Sequence, residues 1–187
     1  MASTASSRST GRRDANQNRR ALLEASARVL ATDPAASMDE IAAQAGLGRA
    51  TVYRHVAGRD ELVQEVAEAA LASAARAVQS AVPDDGPALD ALRRVLTALV
   101  REGAEHRPLL LLGIARDAQF AARRAEVLAP IAGIVARGAA AGDVRSDLPP
   151  AWALSALLTL LQTAVSEGRP DPVQLVWTTV IEGWVPR

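Results

Sequence analysis

Residues 46–55 read GLGRATVYRH and bring two arginines, a histidine and the chain's only tyrosine into ten positions with little to bury them. Such side chains suit an acid–base pocket, a solvated helix face, or a surface that donates to phosphates and base edges. His55 as a general base would need a nucleophile or carboxylate partner, and this segment offers no plausible one. Charged donors beside an amphipathic aromatic are what phosphates and base edges call for.

The flanking residues decide how this set is held. Ala42 is small enough to let a second helix cross closely, Gly46 makes the tight turn four residues on, and Val52 plugs the angle between the helices. With Ile41 and Leu47, this is the spacing of a helix-turn-helix, whose second helix enters the major groove. Val52 and Val56 use up the core, so Arg49, Thr51, Tyr53, Arg54 and His55 point outward. Ser37 and Glu40 form a capping box opening the first of the two helices, predicted from Met38 to Ala45 and closed by Gly46. Upstream, Leu22, Leu23, Ala27, Val29 and Leu30 recur at helical steps from about Asn16, until Asp33-Pro34 ends the run. Downstream, Asp60 and Glu61 suit the first turn of a helix reaching about Ser80.

The run SMDEIAAQAGLGRATVYRHVAGRDEL, residues 37–62, resembles the DNA-binding region of the tetracycline-repressor (TetR) family of bacterial transcription regulators. The matching features are Ser37, Ile41-Ala42, Ala45-Gly46, Thr51, Tyr53, His55 and the stretch from Arg59 to Leu62. The resemblance implies that Arg49, Ala50 and Thr51 approach bases, with Arg49 the candidate for a bidentate guanine contact. It implies that Ser37, Tyr53, His55 and Arg59 hold phosphates. Arg54 stands evenly between a DNA contact and a solvated or intradomain charge. Three positions depart from the family pattern: Gly48 replaces a capping serine, Ala50 a glycine and Val56 a phenylalanine, so no operator sequence is carried over.

Charge distribution agrees with a polyanion-binding front end. All 21 basic residues are arginine, an excess that a GC-rich genome explains on its own. Residues 1–59 carry nine arginines against five acidic residues, whereas the remainder carries twelve against sixteen. Residues 1–15 read as a disordered basic arm, and Arg8, Arg12 and Arg13 either enter a minor groove or belong to a plain tail. There is no cysteine, and His55 and His106 are far apart, so neither a metal nor a cofactor is expected. The most apolar short run, residues 109–115, is far too short to span a membrane, and a cytoplasmic protein is expected.

The fold class is therefore all-α. A helix-turn-helix DNA-binding domain of three helices over 16–60 precedes a helical ligand-binding and dimerisation domain over 61–187, with about nine helices in all. Helices are predicted near 88–104, 108–115, 117–140, 151–167 and 173–184, with Pro130 a kink. The last two are almost wholly apolar. Trp152, Leu157, Leu161, Val173, Val176, Trp177, Val180, Ile181 and Trp184 are the expected homodimer interface, an arrangement the resemblance also implies.

The resemblance further implies a small-molecule effector whose binding lowers affinity for a double-stranded DNA operator. Pocket candidates are Leu111, Leu112, Phe120 and Trp152, with Arg116, Gln119 and Gln162 as polar anchors. No catalytic constellation is evident and no enzyme is expected. The alternative is a helical adaptor that keeps the DNA-binding head and uses its C-terminal domain for a protein partner.

Overall fold

The computed structural model describes residues 4–33, 35–102 and 118–181, and there is no strand among them. Eight α-helices follow in order: α1 (Thr4–Thr32), α2 (Met38–Gln44), α3 (Arg49–His55), α4 (Arg59–Ser80), α5 (Ala88–Glu102), α6 (Ala118–Ala141), α7 (Pro150–Ser166) and α8 (Pro172–Val176). A π-helical turn, Trp177–Ile181, continues α8. Described residues up to Ala70 form one compact unit and those from Leu71 onward another, so α4 contributes to both.

In the first unit, Leu22, Ala27 and Leu30 of α1 pack with Ile41 and Ala42 of α2, Val52 of α3, Val56 after it, and Leu62 and Val66 of α4. Val52 is fully buried. Burying a side chain of this size stabilises by roughly 1.5–3 kcal/mol, which fixes α3 with one face inward. An ion pair, Arg19 Nη2 to Glu65 Oε1 at 2.6 Å, adds a polar tie between α1 and α4.

Helix α1 begins at Thr4, well upstream of Asn16, and takes in most of the stretch expected as a disordered arm. The physical reason is cooperativity. Once Leu22, Ala25 and Leu30 are buried and the helix is nucleated, each added residue needs only propagation, which the arginines and alanines of 4–15 favour and its serines, threonines and glycine oppose.

The second unit is built around Leu92 and Leu96 of α5, Ile131 and Ile134 of α6, and Leu157 of α7, with many alanines between them. Small residues set the helix spacing. A Cβ added to Gly138 of α6 would stand 3.0 Å from Val144 Cγ2 and 3.3 Å from Ala88 Cβ, so only glycine lets these segments approach this closely. Helix α6 continues through Pro130, where one ladder donor is missing. The short helix predicted over 108–115 lies outside the described residues. The last helix, predicted to Trp184, is α-helical only to Val176 before it widens into the π-turn, and Trp184 itself lies outside the described residues.

Candidate nucleic-acid interface

Helix α2, which leads into the turn that presents α3, is capped at both ends by residues legible in the sequence. Ser37 caps α2: its hydroxyl accepts from the Glu40 N–H at 3.3 Å, while Glu40 Oε2 accepts from the Ser37 N–H at 2.7 Å. The Ser37 hydroxyl also donates to that carboxylate at 2.7 Å. These bonds hold the exposed Glu40 carboxyl below its ordinary pKa, the bond from the Ser37 backbone N–H first and that from its hydroxyl second. At the other end, Leu47 N–H donates to Ala42 O at 3.0 Å and Gly46 N–H to Ala43 O at 3.1 Å, a Schellman arrangement. It requires the left-handed residue that Gly46 supplies at φ +65°.

Gly48 then caps α3 with extended backbone and no side-chain bond. From that start, Arg49, Ala50, Tyr53 and Arg54 are exposed, Thr51 and His55 are half-buried, and Val52 faces the core. Tyr53 is one of the few large hydrophobic side chains left in solvent, at 43% exposure. Arg54 and His55 fall in the last turn, where the charge of Arg54 suits the helix dipole.

The polar side chains are not independent. Arg49 Nη1 donates to Asp39 Oδ2 at 3.0 Å, and its guanidinium lies 5.6 Å from the centre of the Tyr53 ring. Arg54 Nη2 donates to Thr51 Oγ1 at 3.3 Å. Arg59 Nε donates to the Ala36 carbonyl at 3.3 Å, which ties the start of α4 to the loop before α2. Ser37 is engaged in its capping box. The eight residues singled out from the sequence thus fall on α3, at the N-cap of α2 and at the first position of α4. Asp39 was missed. It reads as an ordinary first-turn acid of α2, and only the crossing of the two helices places it against Arg49.

Comparison with known proteins agrees with this geometry. The profile of the bacterial regulatory proteins of the tetR family matches residues 22–66, which spans α1 to α4 across the turn. Over 177 residues the chain is 32% identical to the HTH-type transcriptional repressor LfrR of Mycolicibacterium smegmatis, covering 89% of this chain and 90% of that protein. The chain belongs to the TetR family of bacterial regulatory proteins. It is a DNA-binding transcriptional regulator of helix-turn-helix type. The crystal structure of LfrR from Mycobacterium smegmatis in complex with proflavine superposes with a TM-score of 0.73 at 27% identity, covering 92% of this chain and 98% of that one. The TetR-family regulator PfmR from Thermus thermophilus shares the fold, with a TM-score of 0.69 at 24% identity over 89% of this chain and 96% of that one.

The expected dimer residues differ in how far their own chain buries them. Leu157, Leu161, Val173, Val176 and Val180 lie in the core of their own chain, packed with α5 and α6. Those two helices are apolar enough to cover the inner faces of α7 and α8 without a second copy. Trp177 is half-buried, with the Arg93 guanidinium 5.1 Å from its ring centre. Ile181 closes the π-turn. Among the described side chains of the expected set, Trp152 is left largely in solvent, at 57% exposure, and Leu160 and Leu175 join it as exposed apolar side chains.

The outer face of α7 has a second property. Ser155, Thr159 and Thr163 each donate a hydroxyl to the carbonyl four residues earlier, and Ser166 to the Thr163 carbonyl, at 2.8–3.0 Å. Thr179 does the same toward Leu175. The polar groups of this face are turned onto their own helices, leaving methyl and methylene groups outermost.

The expected effector residues are described only in part. Leu111, Leu112 and Arg116 lie outside the described residues. Gln119 and Trp152 are exposed, Gln162 is half-buried, and Phe120 is buried at the start of α6. An open groove of about 610 Å³ lies elsewhere, lined by Asp90, Arg93, Arg94, Thr97 and Arg101 of α5. Arg94 closes the end of α4 by donating to the carbonyls of Ala81, Val82 and Asp85. Among the described residues no group of three or more His, Cys, Asp or Glu is placed to hold a metal ion, and no helix is long and apolar enough to cross a membrane.

Proposed function

We propose that the chain is a ligand-responsive repressor that binds a pseudo-palindromic operator as a homodimer, through the recognition helix α3. The observation that carries this reading is the division of α3 into one core-facing residue, Val52, and an exposed set comprising Arg49, Ala50, Tyr53 and Arg54. A helix with that division, capped without a side chain in the way, offers its first turn to base edges and its flanks to phosphates. Arg49, Ala50 and Thr51 then face bases. Tyr53, His55, Arg54, Arg59 and Ser37 face the backbone. The DNA-binding domain occupies 16–60, and the segment 61–187 serves dimerisation and effector binding.

The homodimer is supported by the exposed face of α7 and α8, where Trp152, Leu160 and Leu175 stand in solvent beside hydroxyls that need no partner. Effector binding is supported by the relative whose structure holds proflavine. By linkage, a ligand that prefers the DNA-free arrangement lowers operator affinity, and operator lowers affinity for that ligand by the same factor.

The test is selection of binding sites from random duplexes by the purified protein, followed by titration at several salt concentrations. Enrichment of a two-fold symmetric sequence, with affinity falling steeply as salt rises, is the expected result. A folded protein that enriches no sequence would refute the reading.

A further inference from the structure

The Arg49 guanidinium is held from two sides before any DNA arrives: an acceptor on α2, Asp39 Oδ2 at 3.0 Å, and the Tyr53 ring one turn along α3. Arginine carries five donors, and the tie to Asp39 uses one on Nη1, so a two-bond edge remains for a base. Both side chains are mostly exposed, at 68% for Arg49 and 63% for Asp39, so the pair contributes little to folding in water. A carboxylate placed on a surface that meets a polyanion has another consequence. It repels phosphate in every register of binding, whereas the orientation it imposes on Arg49 helps only where a guanine stands opposite.

We infer that Asp39 is a specificity-determining positioning residue: it holds the Arg49 guanidinium for base contact while its charge weakens binding to duplexes that lack the matching base. This inference rests on the proposed function, since it takes α3 as the DNA-reading helix. The effect is on the ratio of specific to non-specific affinity. Removing Asp39 frees Arg49 to swing to phosphates, so discrimination falls as general affinity rises.

The experiment uses the full chain and the duplex enriched by the wild-type protein, a set of duplexes changed one base pair at a time, and a scrambled duplex of equal length. Asp39→Ala is expected to flatten base preference roughly tenfold, at the base pair where Arg49→Ala also flattens it. Affinity for the scrambled duplex is expected to rise. The double variant is expected to lose no more preference at that base pair than Arg49→Ala alone. Asp39→Asn keeps the shape and an acceptor without the charge, and it should retain part of the preference while gaining scrambled-duplex affinity. It also carries the test if Asp39→Ala, in the first turn of α2, fails to fold.

Two results would overturn the inference alone. One is an Asp39→Ala variant that binds all duplexes more tightly by one common factor with every preference intact. The other is flattening at a base pair that Arg49→Ala leaves unchanged. A different result separates the two levels of argument: if Arg49→Ala has no effect on any duplex, or the wild type shows no preference at all, the reading of α3 fails and this inference with it.

Discussion

Arg49 and Tyr53, four residues apart on α3, meet on the exposed face, the guanidinium 5.6 Å from the ring centre. The tyrosine therefore has two parts with separable effects: a hydroxyl able to reach phosphate, and a ring that supports the arginine. Tyr53→Phe removes the hydroxyl alone and should weaken operator binding roughly tenfold, the lower end for a hydrogen bond to a charged group, about 1.5 kcal/mol. Base preference should be unchanged. Tyr53→Ala should weaken binding further and blur preference at the base read by Arg49. Titrations of the single-base-pair duplex set check both, and equal effects of the two variants would show that the ring has no part in orienting Arg49.

Gly48 gives a prediction about stability. Its backbone, at φ −68° and ψ 145°, is that of an ordinary N-cap, and a Cβ placed there meets nothing within 4 Å. Gly48→Ser should therefore fit without strain and supply the missing side-chain cap. The expected gain is a few tenths of a kcal/mol in chemical denaturation. A loss of stability would mean that the turn cannot accept a side chain despite the open space.

The capping box on α2 predicts an acid-sensitive contribution to stability. Hydrogen bonds from Ser37 lower the Glu40 pKa in the folded chain. A carboxyl whose folded value is depressed stabilises fully above its unfolded value, about 4.3, and loses that contribution as pH falls through the folded value. Glu40→Gln keeps an acceptor for the box but cannot titrate. Thermal midpoints of the wild type should fall faster than those of Glu40→Gln below about pH 4.3. Parallel curves for the two proteins would exclude Glu40 as the titrating group.

The face of α7 yields a pair of substitutions with opposite expectations. Trp152 is 57% exposed and Leu157 is fully buried, though both lie on one apolar helix. Trp152→Arg should leave the chain folded and shift it from dimer to monomer in sedimentation, with operator affinity reduced because one half-site must bind alone. Leu157→Arg should instead destabilise the fold itself by burying an unpaired charge. A dimer unaffected by Trp152→Arg would remove this face from the proposed interface.

How far the sequence reached differs along the chain for physical reasons. Ser37, Glu40, Gly46 and Val52 each act within a few residues of themselves, through caps, turns and one plug, so their roles can be read from local spacing. The faces of α7 cannot be. Helical periodicity shows that Trp152, Leu157 and Leu161 lie on an apolar helix, but which side is inward depends on α5 and α6, both distant in the sequence. The start of α1 escaped notice because its first residues carry no apolar stripe. Asp39 escaped because its partner, ten residues on, belongs to another helix.

The back-bonded hydroxyls of α7 change what hydropathy would suggest about that surface. Ser155, Thr159 and Thr163 count as polar in any scale, yet their donors are already engaged on their own helix. In the proposed dimer, a partner helix laid against them meets no hydrogen-bond donor that demands a matching acceptor. Such a contact is smooth: it tolerates sliding and small rotations without leaving a polar group stranded. Registry then falls to the few large protrusions, Trp152, Leu160 and Leu175. Two subunits joined this way can pivot against each other while staying joined, which is the mechanical freedom that a two-headed DNA reader needs in order to change the distance between its heads.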